Sequence, residues 1–353
     1  MKRAAIAYLL VILAVGLLVT LVMPEHSEEE EQPESKPGAA QPREIAPARE
    51  IGERVSRITG GVFFERVPRV EMLPPAELAK KLAPAPPREP GRSRAGALLL
   101  SQAGAFPPEQ AEKLLGRRYG SAVAAAWVPD EFAVLVDAEL AESDPKVAEA
   151  AAAGGLSRAL ETPVSDAPAV PPLFHDEEAV RATLQGGVAG LVERQYAERH
   201  LGGAVDVDAA RESRRDPETP PAAETQNTFP ATVGTEFVRG LHRRGGWEAV
   251  GEVLVDPPTT TNALLHANPA EAVRTPDFDI EQELGDGWKR LGAGDVGELD
   301  SAVLLRGGAG EKLAFKAVAG WRAGRFEAWQ KGNGRCPEPC RGNTVTIVVH
   351  RWG

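Results

Sequence analysis

The sequence is short of the residues that hold metals and disulfides. It has two cysteines and six histidines in 353 positions. Two cysteines exclude a disulfide-dense scaffold and a four-cysteine zinc module. The histidines stand at 26, 175, 200, 242, 266 and 350, with no two within five residues. A His-Glu-x-x-His zinc helix is therefore absent. No Gly-x-Ser-x-Gly nucleophile elbow occurs. Gly307-Gly308-Ala309-Gly310 lacks the Lys-Ser/Thr of a phosphate loop and reads as a turn. Basic charge is scarce too. Against 51 acids stand 40 bases, a net charge of −11, so duplex nucleic acid is not an expected partner.

What is abundant is Gly (36) and Pro (30), which call for many turns. One long apolar run is also present. Met1-Lys2-Arg3 precedes twenty uncharged residues, Ala4 to Met23. As a helix these span about 30 Å, the thickness of a bilayer's hydrocarbon core. The run ends Leu21-Val22-Met23-Pro24, without the small-residue exit of a cleaved signal. It is expected to be a signal anchor. Lys2 and Arg3 keep the N-terminus cytoplasmic and place the body outside a plasma membrane crossed once. A cleaved signal would export the body as well. Residues 24–50 carry eight acids, three bases and five prolines, the composition of a disordered acidic tether.

Residues 51–353 are expected to form the exported body, with 51–97 as an N-terminal appendage and linker. A helix-strand-helix unit is read over 51–83 and a loop over 84–97. A helix over 107–118 comes next, then a hairpin at 122–128 and 132–137. Ser143-Asp144-Pro145 opens a helix to about Leu160: a capping side chain, then Pro at the first helical position. Asp176 to His200 is read as one long helix, 202–230 as loop, and 233–244 and 247–255 as helices broken at Gly245-Gly246. A helix near 298–306 and strands at 326–330 and 344–350 complete an α+β chain, helix-dominated around a small sheet.

These pieces, taken in order, resemble a family of exported or membrane-anchored zincin-like metallopeptidases. Phe237-Val238-Arg239-Gly240-Leu241 and Gly245-Gly246-Trp247-Glu248-Ala249-Val250, followed by Pro257-Pro258-Thr259-Thr260-Thr261 and Leu264-Leu265-His266, are similar to its "FVxxLxxxGGWxAVNxAYxxPPxSTEQxLHP" pattern. Val296-Gly297-Glu298-Leu299 resembles its "LGE" element, and Gly320-Trp321 with Gly324-Arg325 its "GWGGDR" element. The resemblance implies a zincin-like fold in which the hairpin leads into the metal-binding helix. Two His at i and i+4 share a helix face and bind zinc, with the intervening Glu as general base.

Here that helix reads Gly154-Gly155-Leu156-Ser157-Arg158, and the third-ligand Glu falls on Gln185. Gly has no donor atom and guanidinium is always cationic. The resemblance therefore implies a degenerate site at Gly154, Gly155, Arg158 and Gln185, with no metal and no cofactor, in which Arg158 replaces the ion's charge and hydrogen-bonds nearby carbonyls or Gln185. Without it, the same residues read as a kink with a solvated Arg and Gln. His266, Trp247 and Thr260 are cleft candidates. A relocated metal site using His175, Asp176, Glu177 and His200 is the remaining metal alternative.

Cys336 and Cys340 are expected to close a small disulfide loop outside the cell. The expected function is a pseudo-metallopeptidase that binds a peptide or an envelope protein in the old cleft. An active zinc peptidase with non-standard ligands and a structural envelope protein are the alternatives.

Overall fold

A computed structural model of the chain describes residues 45–60, 67–82, 90–106, 123–160, 171–203, 205–213, 219, 221–267, 278, 280–332 and 344–352. The proposed anchor, most of the tether, the helix read at 107–118 and the Cys336–Cys340 loop lie outside these residues. Among the described residues no helix is long and apolar enough to cross a membrane.

The elements are α1 (Ala48–Thr59), β1 (Arg69–Leu73), α2 (Pro75–Lys81), α3 (Pro90–Gln102), β2 (Ala125–Val128), β3 (Ala133–Asp137), α4 (Ala138–Ser143), α5 (Pro145–Leu160), α6 (Asp176–His200), α7 (Val207–Ser213), α8 (Pro221–Phe229), α9 (Thr235–Val255), α10 (Thr261–Leu265), α11 (Glu281–Leu284), β4 (Trp288–Asp295), α12 (Glu298–Ala309), α13 (Glu311–Val318), β5 (Trp321–Lys331) and β6 (Thr344–Trp352). The class is α+β, with two three-stranded sheets.

The first sheet has the order β1-β3-β2, with β1 parallel and β2 antiparallel to β3. The β2–β3 hairpin forms where it was read. A 3₁₀ turn, Pro129–Glu131, closes it through Phe132 at φ 47. Strand β3 alternates its side chains between two helical layers. Val134 and Val136 join the core of α1, α5, α6 and α9, while Ala133 and Leu135 pack on Leu73 and on Leu78 of α2. All five β3 residues are buried.

Helix α5 begins at Pro145, and Asp144 Oδ1 accepts the Val147 N–H at 3.2 Å. Its Ala-rich middle is buried on nearly every side from Val147 to Ala159. A helix of that composition can sit between a sheet and another helix because its side chains take little room. Helix α6 spans Asp176–His200 as read from the sequence.

The N-terminal segment is integral to the body rather than an appendage. Ile51, Val55 and Ile58 of α1 are buried in the main core. Arg54 donates to Glu149 of α5 and to Tyr196 of α6, each at 2.9 Å, and Tyr196 O–H donates to Glu149 at 2.7 Å. Burial against this carboxylate pushes the Tyr196 hydroxyl's pKa up. Helix α1 also starts three residues inside the stretch read as tether.

Two stretches read as loop are largely helical. Residues 90–97 lie in α3, whose Gly91 meets the backbone of Leu291 and Gly292 in β4. Within 202–230 lie α7 and α8. A π-helical turn, Pro230–Gly234, runs α8 directly into α9. In these segments tertiary packing outweighs Gly, Pro and charge content. The break in α9 is as expected: Gly246 takes φ 65, and only Gly adopts this freely.

The second sheet is antiparallel, β4-β5-β6. Its Phe326, Ala328 and Val348 meet α3, α8 and α12 in a second core with Leu100, Phe174, Phe229 and Leu299. Strand β4 and helix α13 are additions to the sequence reading.

Candidate functional site

Helices α5 and α6 run antiparallel. Gly154 lies against Glu193, whereas Arg158, one turn further along α5, reaches Gln185, two turns back along α6. Arg158 Nη2 donates to Gln185 Oε1 at 2.7 Å. Gln185 is 1% exposed, and its Nε2 is buried without a hydrogen-bond partner. A buried amide group left in this state costs about 1–3 kcal/mol.

Gly154 and Gly155 have a steric reason of their own. A Cβ on Gly154 would stand 2.5 Å from Glu193 Oε1 and 2.6 Å from its Cγ. A Cβ on Gly155 would stand 2.6 Å from Val134 Cγ1, the side chain of a buried strand. The same closeness recurs on the far side of α6, where a Cβ on Gly187 would stand 2.4 Å from the backbone of Gly234. Ser157 Oγ turns back to the Gly154 carbonyl at 2.7 Å.

This seam does not fit a zinc ion. Two of its four positions carry no donor, the third is a permanent cation, and the fourth is an amide already bonded to that cation. Position 155 faces β3, so a Glu there would collide with the sheet. Among the described residues no group of three or more His, Cys, Asp or Glu is arranged to hold a metal. The relocated site is ruled out by length. His175 and His200 flank and end the same 25-residue helix, about 37 Å apart at 1.5 Å per residue. His175 Nδ1 instead lies 2.9 Å from Arg92 Nη1.

The second polar cluster lies where α6, α10 and α12 begin. Asp176 Oδ1 accepts from Thr261 Oγ1 at 2.6 Å and from Thr261 N at 3.2 Å. Asp300 accepts from Gly297 N at 2.7 Å and Phe174 N at 2.9 Å. Burial, joined at Asp300 by the charge of Asp176, raises both carboxyls to about 7. Glu298 accepts from Asn262 Nδ2 at 2.6 Å and pairs with His266 Nε2 at 2.9 Å. Burial raises its pKa as well, against the pull of His266 and Asn262. Gly297 is required here, because a Cβ would stand 2.1 Å from Asp176 Oδ1.

The cleft candidates divide between these regions. The His266 side chain is 43% exposed and is oriented by nearly buried Glu298. Thr260 precedes α10 and offers its carbonyl to Ala263 N at 3.2 Å. Trp247 packs on the core of α5 and α6, edge-on to His242 at 5.2 Å. Sequence reasoning missed Glu193, Asp300 and Asn262. Asp300 carried a signal, standing three residues after Gly297 as the acid of a helix start.

No protein-family model, no curated protein and no solved structure matches the chain.

Proposed function

We propose that the chain is a membrane-anchored, extracytoplasmic, zincin-like protein without peptidase activity, which binds a peptide or an envelope protein. The observation that carries this reading is the Arg158–Gln185 hydrogen bond. Arg158 and Gln185, to which the resemblance assigns the second-His and third-ligand positions, are in direct contact, cation to amide. A guanidinium there supplies positive charge at the metal's place and no lone pair for a metal. The supporting features are the hairpin leading into α5, the antiparallel α6 and the Gly245-Gly246 break before Trp247. The anchor and tether rest on composition alone. His266 and Glu298 form an oriented dyad, but binding needs no nucleophile beside them.

The test uses the purified full-length chain in detergent micelles. It is incubated with casein and with a mixed peptide library, with and without a chelator. No cleavage in either arm is expected. Chelator-sensitive cleavage would replace this reading with an active metallopeptidase using other ligands.

A further inference from the structure

The outer face of the second sheet carries a cavity of about 390 Å³. Along β5, Arg325, Glu327 and Trp329 alternate to one face, opposite Phe326 and Ala328 in the core. On β4, Trp288 and Arg290 share that face, in register with Lys331 and Trp329. Phe278 and Glu281 complete the wall.

The charge of this cavity opposes that of the chain. Arg290 and Arg325 line it against Glu281 and Glu327, and a third cation, Lys331, stands 5.8 Å over the Trp288 ring. The chain as a whole has a net charge of −11. Glu327 is nearly buried and gathers the cations. Arg290 Nη2 meets it at 2.6 Å, Arg325 Nη2 at 3.5 Å, and Trp329 Nε1 donates to it at 3.2 Å. The carboxylate thus holds two guanidiniums side by side. Arg290 keeps a 43% exposed side chain, and among the described residues its Nε and Nη1 have no protein partner. Arg325 lies 6.0 Å from the Phe278 ring centre.

Two paired guanidiniums beside aromatic faces suit one chemistry. A guanidinium fork bonds a planar carboxylate through two N–H groups. An indole or phenyl face holds a flat ring. The volume falls in the range of small-molecule sites, about 300–1,000 Å³. We propose that this cavity binds a small ring-bearing carboxylate, its acid group at Arg290 and Arg325 and its ring on Trp288 and Phe278. Sugar acids and aromatic acids share this chemistry. The site is independent of the α5–α6 seam, so the two readings stand or fall separately.

Titration calorimetry on the full-length chain tests it with D-glucuronate and benzoate, against D-glucose, benzyl alcohol and inorganic phosphate. At least one ring carboxylate is expected to bind with a Kd below about 1 mM. Glucuronate alone would mark a sugar-acid site, and benzoate alone an aromatic-acid site. The neutral rings and phosphate are expected to bind at least about tenfold more weakly.

Arg290→Gln and Trp288→Leu are each expected to weaken the ring carboxylate about tenfold or more. Arg290→Gln leaves Glu327 one cation short, so Lys331→Gln, whose ammonium stands over Trp288, serves as a second charge variant with an expected loss of about threefold. Binding of neither acid, equal binding of the neutral ring or of phosphate, or unchanged affinity in folded Trp288→Leu would overturn the proposal.

Discussion

The α5–α6 seam and the helix-start cluster both bury polar side chains, but they do so for different reasons. At the cluster, Asp176 and Asp300 bind backbone N–H groups that the starts of α10 and α12 and the Phe174 turn leave unpaired. Architecture explains them. In the seam, Arg158, a cation in the last turn of α5, donates to the buried Gln185 side chain of the neighbouring helix, a contact from side chain to side chain. The surrounding residues are small and the helices close, conditions that favour apolar side chains. A polar pair that links two helices through side chains, set among glycines, differs from a carboxylate that caps backbone N–H groups.

The sharpest way to break this comparison is to fill the seam. Gly155→Leu is expected to destabilise the fold by about 3 kcal/mol through overpacking against Val134. Gly155→Ala discriminates more finely. If Gly155 only bent a helix, Ala would stabilise by about 1 kcal/mol. The 2.6 Å approach to Val134 predicts a loss instead, measured by urea unfolding.

Next in size is the polar pair itself. Arg158→Met leaves the Gln185 amide buried without its partner, an expected loss of about 2 kcal/mol. Adding Gln185→Leu should recover most of it. A double-mutant cycle with no coupling would return both residues to the status of bystanders.

The smallest effect tests the cluster. Asp176 and Asp300 titrate near 7 in the folded chain and near 4 when unfolded. The fold therefore favours their protonated forms. That contribution is complete below about pH 4 and is lost as pH rises through 7. Glu298 is shifted the same way. Lowering the pH from 7.5 to 6.5 should stabilise the chain by about 1.4 kcal/mol, read as a rise in Tm. Asp300→Asn, which keeps an acceptor for Gly297 N, should flatten this slope. A Tm that falls over the same interval would show that the carboxyls are not held as described.

Much of the fold was legible because its signals are local. Asp144-Pro145 marks a helix start, Pro129-Asp130-Glu131 a turn, and Gly245-Gly246 a break; each acts through its own backbone. Strand β4 and helix α3 were not legible. Strand β4 is mixed in polarity because one face meets the core and the other carries Trp288 and Arg290. Helix α3 opens with Pro, Gly and two Arg, and is fixed by β4, which lies 200 residues away.

The site was legible in part. Gln185 was one of two partners expected for Arg158, and the structure shows that contact, whereas the glycines at 154 and 155 answer to Glu193 and Val134, which no local pattern points to. The carboxylate cluster joins segments 126 residues apart, so its assembly is not readable locally, although Glu298 stands in the 296–299 stretch quoted for the resemblance and Asp300 at a helix-start spacing.

Zinc per chain tests the central claim most directly. The full-length protein is expressed in zinc-supplemented medium, purified without chelator and measured by mass spectrometry of the intact chain and by elemental analysis. The seam's chemistry predicts well under one zinc per ten chains, unchanged in Arg158→Met. One zinc per chain, removed by chelator and restored on adding the metal, would contradict it.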